Sequence, residues 1–388
     1  MAATLADVAA HAKVSPATVS RVLNGNYPVS EATRARVLRA VEELDYVLNG
    51  PASALAAAAS NLVGILVNDI ADPFFGIMAG AIQSEISSGH AGAGAGAAGE
   101  KLAVVCNTGG SPERELMYLT LLQRQRAAAV VLTGGALESP EHVAAVSAKL
   151  RRLAAAGTRV VLCGRPPLPA PEPDTSAGSR AKKGRGGADR GTATAHTETA
   201  SPAITLAFDN RGGAQRLTEH LLALGHRRIG YITGPAERTT TRHRLEGHRA
   251  ALEAQGLRDD TETERLTVYG SYGRTAGYDA ALELLRRSPD LTAIVAANDT
   301  IALGACAALR DRGLSIPQDV SVAGFDDLPF SMDAVPALTT MRLPLAEAGA
   351  RAGRLALDRE TPPPGGVTTI RAELMARAST APVALRPV

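Results

Sequence analysis

A chain of 388 residues, 45% apolar and 21% charged, is long enough for two or three domains with sizeable cores. Its net charge of +2 excludes a global attraction to nucleic acid, so any DNA contact must come from a local surface. No apolar run approaches the ~20 residues of a membrane span, and the start lacks the basic and apolar regions of a secretory leader, so neither is expected.

Residues 4–24, TLADVAAHAKVSPATVSRVLN, predict two short helices and a tight turn. Thr4 can cap the first helix, and Asp7 three residues on completes a capping box. Leu5, Val8, Ala9 and Ala12 form one apolar stripe at helical spacing. Lys13 and Val14 carry the turn, Ser15 is an N-cap, and Pro16 sits where its missing N–H costs nothing. Val19, Val22 and Leu23 point inward and leave Ala17, Thr18, Ser20 and Arg21 outside. A short second helix with a small, polar, Arg-bearing outer face suits the major groove. Ser30 caps a third helix, 31–44, with Val37, Leu38, Val41 and Leu44 expected on its inner face. After the breaker at 49–51, the alanine-rich stretch 52–59 has high helix propensity but is too short to stand alone.

From residue 61, strand-length apolar runs alternate with amphipathic stretches. The strands are expected at 62–67, 102–106, 129–133, 159–163, 204–208, 228–233, 293–297 and 320–325. Helices fit at 76–87, 112–125, 212–224, 244–255, 275–287 and 299–312, among others. Alternation of this kind implies doubly wound parallel sheets in two lobes, with a ligand crevice at the carboxyl ends of the strands. Two insertions break the rhythm. Residues 90–99 contain a literal G-x-G-x-x-G, but it follows a helix and precedes a strand, the reverse of a dinucleotide site. Residues 166–202 are rich in Pro, Gly, Ser, Thr and Ala, with a basic knot at Arg180, Lys182, Lys183, Arg185 and Arg190, and read as a surface loop or an auxiliary phosphate contact.

Cys106, Cys163 and Cys306 are far apart and each ends or follows an apolar run, so buried free thiols in a reducing cytoplasm are expected. No spacing points to a metal, and no cofactor is expected. An enzyme reading would have to rest on Asp326 and Asp327 as a carboxylate pair or on Cys163 as a nucleophile, and no further group commits them to chemistry.

The order of parts resembles the lactose/galactose repressor (LacI/GalR) family of bacterial transcription factors over nearly the whole chain. The matching stretches are 4–24, 29–49, DIADPFF (69–75), FDNRGGA (208–214), LGHRRIGYITGP (224–235), RHRLEGHRAAL (242–252), AANDTIALGA (296–305), IPQDVSVAGFDD (316–327) and 336–352. The resemblance implies an all-α helix-turn-helix headpiece (1–48) and a hinge helix (49–60). A periplasmic-binding-protein-like α/β effector and dimerisation domain (61–388) would follow. Its first lobe would take about 61–206 and 345–372, and its second about 207–344 and 373–388.

The resemblance places Thr4, Ser15, Pro16, Ala17, Thr18, Ser20, Arg21 and Asn24 at double-stranded, near-palindromic operator DNA. Pro16 and Ala17 take the main base-discriminating positions, with apolar contact their available mode, and Leu55 takes that of a minor-groove wedge. The family's hinge usually carries basic residues, whereas GPASALAAAAS has none. Residues 1–60 hold five Lys or Arg and five Asp or Glu, a net charge of zero. The effector positions would be Asp72, Phe74, Arg165, Arg244, Tyr272, Asn298 and Asp326. Carboxylate, amide and guanidinium together satisfy vicinal hydroxyls, and an aromatic ring can stack on a sugar face. Gly164 stands where many relatives carry Asp, which removes one hydroxyl acceptor. The expected protein is a homodimeric repressor without a membrane span, controlled by a sugar. A purine-like corepressor is the alternative, and a solute-binding protein of the same lobes is a different class.

Overall fold

The computed structural model describes residues 3–24, 29–44, 46, 60–88, 101–170, 203–257 and 259–383. The headpiece is three helices, α1 (Leu5–Ala12), α2 (Pro16–Asn24) and α3 (Glu31–Glu43). Thr4 and Asp7 form the capping box, with the Thr4 amide donating to Asp7 Oδ2 at 2.8 Å and the Asp7 amide to Thr4 Oγ1 at 3.3 Å. Lys13 turns the chain with a left-handed φ of 54°. The Thr18 amide donates to the Ser15 hydroxyl at 3.2 Å, which caps α2. Val8, Ala9, Ala12, Val19, Val37 and Ala40 bury a small core. Leu38, expected inside, is 47% exposed. The face that closes on α1 runs through Val37, Ala40, Val41 and Leu44, and Leu38 lies a hundred-degree step off it. Leu55, the other hinge residues 49–59, the insertion at 90–99 and residues 171–202 lie outside the described residues.

Beyond residue 60 come β1 (Leu62–Val67), α4 (Pro73–Ser87), β2 (Leu102–Asn107), α5 (Pro112–Arg124), β3 (Ala129–Thr133), α6 (Pro140–Ala155), β4 (Arg159–Cys163) and β5 (Ile204–Phe208). Next are α7 (Asn210–Ala223), β6 (Ile229–Ile232), α8 (Thr239–Ala254), α9 (Asp260–Arg265), β7 (Thr267–Val268), α10 (Arg274–Arg287), β8 (Ala293–Ala296) and α11 (Asp299–Asp311). The rest are β9 (Ser321–Asp326), α12 (Phe330–Asp333), β10 (Thr339–Arg342), α13 (Leu345–Ala356), β11 (Val367–Ile370) and β12 (Glu373–Met375).

Among the described residues the strands build two six-stranded sheets, ordered β11-β5-β4-β3-β1-β2 and β12-β10-β9-β8-β6-β7. All pairs are parallel except β10 with β12. The chain passes from the first sheet to the second between β5 and α7, returns before α13, which packs on α4, and crosses again between β11 and β12. In each sheet the strand order reverses beside the first strand, at β1/β3 and β6/β8, so the crevice of each lobe opens at the carboxyl ends there.

Three helices begin with the same device. Asp72-Pro73, Ser111-Pro112 and Ser139-Pro140 each put a capping oxygen before a proline at the first helical position. That cap starts α4 three residues ahead of the expected Gly76. α8 also starts early, at Thr239 rather than Arg244. A run of three threonines is a poor helix start by propensity. Tertiary bonds settle it: Thr239 Oγ1 accepts from the Ala136 amide at 3.0 Å, and Thr241 Oγ1 meets the Tyr272 hydroxyl at 2.7 Å.

Candidate functional site

Between the two sheets lies a cleft of about 750 Å³. It is lined by the loops that follow β1, β2, β3 and β6–β9, which are all carboxyl ends of strands. Asp72, Phe74, Arg244, Tyr272, Asn298 and Asp326 lie on its wall. Arg165 does not. It is buried in the first lobe, its Nη1 2.5 Å from Glu115 Oε1, while the other Glu115 oxygen meets His142 Nε2 at 2.9 Å. Burial alone would raise the Glu115 carboxyl, but Arg165 and His142 outweigh it and hold it at about 2. The Arg165 charge is therefore committed to an internal cluster, and its expected place among the cleft residues is corrected.

Arg244 is 2% exposed. Its Nη2 donates to Asp326 Oδ1 at 2.7 Å, its Nε to Asn210 Oδ1 at 2.8 Å, and its Nη1 to the Ala297 carbonyl. The guanidinium lies 3.7 Å from the Phe325 ring centroid. The exposed partner of Glu246 is Arg242, not Arg244. Burial pushes Asp326 up to about 6 against the pull of Arg244. Asp326 and Asp327 both have left-handed backbones, φ 104° and 54°, so the end of β9 is a tight reversal held against local preference. The reversal divides the two carboxylates. Asp326 turns to the cleft, whereas Asp327 is held by Arg342 at 2.7 Å and Arg377 at 2.6 Å. Asn298 caps α11, its Oδ1 accepting from the Ile301 amide at 2.8 Å. Asp72 likewise caps α4 through the Phe74 amide at 3.0 Å, and burial raises its carboxyl above the ordinary range.

The Asp326 loop rests on a second acid. Asp299 is fully buried and accepts from the Leu328 amide and the Ser331 hydroxyl at 2.7 Å each and from the Thr340 hydroxyl at 2.6 Å. Burial, then the nearby Asp326, push it up to about 7. A carboxyl raised in the fold favours folding most below its unfolded value, about 3.9, and that contribution drains away as pH climbs to about 7. The stability of the wild type relative to Asp299→Asn is expected to fall between about pH 4 and pH 7 in thermal denaturation. A pH-independent difference would show that the carboxyl does not titrate there.

The cleft also takes in residues that sequence reasoning missed: Asn68, Asp69, Arg238, Thr240, Arg274 and Phe330. They sit in loops or at helix starts, where no periodicity marks them; only Asp69, inside DIADPFF, carried a signal. A seam binds the lobes along one side of the cleft. Arg238 Nη2 donates to the Gly110 carbonyl at 3.0 Å, the Glu138 amide to the Glu237 carbonyl at 2.9 Å, and Arg242 pairs with Glu138 at 2.6 Å.

The groups that an enzyme reading rests on are each committed within the fold. Cys163 is fully buried and burial pushes its thiol up to about 12, so it holds no thiolate at neutral pH. Asp326 and Asp327 are each bound to arginine. Cys106 and Cys306 are buried free thiols too.

In the headpiece, Thr4, Ser15, Pro16, Ala17 and Arg21 are exposed, and Thr18 and Ser20 are half-buried. The Ser15 and Thr18 hydroxyls bond to each other at 2.9 Å. Asn24 ends α2, and its side chain lies outside the described residues.

A helix-turn-helix headpiece on a chain with a two-lobed ligand cleft defines a class, the DNA-binding regulators with a ligand-binding domain. Residues 4–49 match bacterial regulatory proteins of the lacI family, and residues 218–380 match a periplasmic binding protein-like domain. The chain is 33% identical over 355 residues to the HTH-type transcriptional regulator GalR of Escherichia coli (strain K12), covering 92% of this chain and 88% of that protein. It is 33% identical to the HTH-type transcriptional regulator CelR of Thermobifida fusca, covering 92% of each. A solved complex of the regulator CelR with cellobiose superposes with a TM-score of 0.61 at 30% identity, over 97% of this chain and 99% of that one. The Lac repressor dimer bound to operator and the anti-inducer ONPF shares the fold, with a TM-score of 0.71 at 24% identity over 98% and 100% of the two chains. The chain belongs to the lacI family of bacterial regulatory proteins. It is a helix-turn-helix transcriptional regulator, as its relatives are, and not an enzyme. Among the described residues no helix is long and apolar enough to cross a membrane.

Proposed function

We propose that this regulator is a repressor whose hold on a near-palindromic operator is controlled by a sugar bound between the lobes. The observation that carries the reading is the convergence of Arg244, Asp326, Asn298 and Asp72 with Phe74 and Tyr272 on one cleft. Charged and amide groups there suit vicinal hydroxyls, and two rings suit a sugar face. The cellobiose complex of CelR supports the class of ligand. We divide the chain into a reader (1–48), a hinge (49–60) and an effector and dimerisation domain (61–388), in which the sugar alters lobe closure and thereby the hinge. Pro16 and Ala17 would face bases, and Arg21 a guanine or a phosphate. Thr4, Ser15 and Asn24 would contact the DNA backbone, Thr18 and Ser20 would face the DNA, and Leu55 would wedge the minor groove. A second copy is required because one short helix reads too few bases. The exposed apolar side chains Leu102, Val104 and Val105 on β2, with Met117 and Leu121 on α5, support pairing through the first lobe. We place the dimer in the cytoplasm, on the nucleoid when bound.

The test is a thermal-shift panel of sugars and nucleobases on the full chain, read beside operator binding. A sugar that raises the melting temperature and loosens operator binding is expected. A nucleobase that stabilises and tightens it instead would replace the sugar by a corepressor.

Two further outcomes concern the reader. With a headpiece charge of zero, operator affinity should fall with salt far less steeply than the log–log slope of about −10 known for a strongly salt-dependent repressor. A steep slope would transfer the phosphate contacts to the basic knot at 180–190. Leu55→Ala should weaken specific operator binding and leave sugar binding intact, and unchanged operator affinity would remove the wedge.

A further inference from the structure

Arg244 spends its charge on Asp326, but neither Arg238 nor Arg274 on the same wall forms a salt bridge among the described residues; the Glu115 and Glu237 carboxylates and the Arg165 guanidinium act on Arg238 only at longer range. Arg238 is half-buried and reaches only the neutral carbonyls of Gly110, at 3.0 Å, and Gly135, at 3.5 Å. Arg274 is exposed on the cleft, its guanidinium 5.6 Å from the Phe330 ring centroid.

Their positions in the chain are as unusual as their lack of salt bridges. Arg238 is the N-cap of α8 and Arg274 the first residue of α10. A cation at the positive end of a helix is disfavoured. Neither helix has a side-chain cap, whereas α4 and α11, which open on the same cleft, are capped by Asp72 and Asn298. The second lobe therefore presents two cations and two uncapped helix starts to a cavity. The carboxylates of the first lobe stand across from them, already partly spent: Asp72 on the Phe74 amide, and Asp69 on the Ala71 amide at 3.0 Å. Arg238 and Arg274 share the second-lobe wall with Asn298 and Asp326, while Asp69 and Asp72 face them from the first lobe.

We infer that the ligand is an anionic sugar, its hydroxyls turned to Asp72, Asn298 and Asp326 and its phosphate or carboxylate held between Arg238 and Arg274. The inference rests on the sugar reading given above and names the class of sugar. Guanidinium groups are the natural partners of both anions, because their planar N–H forks match paired oxygens. An acid bound there would also remove the two repulsive helix ends from the unliganded cleft.

The experiment is calorimetric titration of the full-length dimer with glucose, glucose 6-phosphate, glucuronate, their galactose counterparts and inorganic phosphate. It is repeated with Arg238→Gln and Arg274→Gln, whose folding is checked by thermal denaturation. A phosphorylated sugar binding at least tenfold tighter than its neutral parent, with most of that margin lost in Arg274→Gln, supports the inference and assigns a phosphate. The same pattern with a uronate supports it and assigns a carboxylate. A neutral sugar binding as well as its acid, with both variants unaffected, overturns the inference while leaving the sugar reading standing. Inorganic phosphate alone reproducing the full affinity overturns it in favour of a simple anion site. Binding of none of these sugars, charged or neutral, overturns both.

Discussion

Replacing Arg244 by methionine is expected to cost about 3–5 kcal/mol of folding stability, the range for breaking a buried ion pair from one side. The side chain is 2% exposed, and its loss strands the Asp326 carboxylate in the protein interior. It also frees Asn210 Oδ1 and the Ala297 carbonyl from their donor. Asn210 begins α7, Ala297 follows β8 and Asp326 ends β9, so one guanidinium ties three elements at the floor of the cleft. Arg244→Met should therefore lower the melting temperature of the effector domain and leave a protein that still binds operator but no longer releases it when sugar is added. Arg244→Lys keeps the charge without the planar fork and should recover only part of the loss. Wild-type sugar release in Arg244→Met would separate the ion pair from the effector response.

The second large effect is expected from one methyl group. Gly304 on α11 faces the backbone of α10 so closely that an added Cβ would stand 2.0 Å from the Arg274 carbonyl oxygen. The crossing is reciprocal, since a Cβ on Gly277 of α10 would stand 2.2 Å from the Ile301 carbonyl oxygen. A backbone carbonyl cannot rotate away as a side chain can, so Gly304→Ala must push the helices apart. Overpacking of this kind costs about 1–3 kcal/mol. The displaced carbonyl belongs to the first turn of α10, beside Tyr272 and Arg274 on the cleft wall. Gly304→Ala should thus weaken effector binding as well as stability, and so should Gly247→Ala, whose Cβ would stand 2.1 Å from the Arg211 carbonyl at the α7–α8 crossing, beside the Arg244–Asn210 bond. Thermal denaturation and calorimetry check both consequences: a loss of stability and of effector affinity in each variant, with unchanged affinity in Gly304→Ala separating the helix crossing from the cleft.

Much of this molecule can be read along the chain. The capping box at Thr4 and Asp7, the left-handed turn at Lys13 and the Ser15 cap arise from residues within four positions of one another. The central strands 62–67, 129–133, 159–163 and 204–208 are found where their apolar runs stand, because a strand covered on both faces reads as a nearly continuous apolar run. The shorter strands at 267–268 and 373–375 carry no such signature, and their pairing partners alone make them strands. Leu38 shows the limit inside a helix. Its spacing permits an inward place, and the angle at which α3 meets α1 denies it.

The cleft shows the same division. Asp72, Asn298 and Asp326 were legible because each stands at a strand end or helix start within a longer motif. Arg165 stands in an equivalent place after β4, yet Glu115, fifty residues earlier in the chain, draws it inside. Asp326 and Asp327 are indistinguishable as letters, and only the reversal at the end of β9 sends one to the cleft and the other to Arg342 and Arg377. Arg238 and Arg274 are two more charges on a chain rich in arginine until the fold sets them on one wall. By itself the sequence determined the order of helices and strands, the caps that start them and the neutral charge of the reader, since these depend on neighbours in the chain. The tertiary structure decided which charges are paired with each other and which stand on the cleft wall without a salt bridge among the described residues, because that depends on groups brought together from residues far apart.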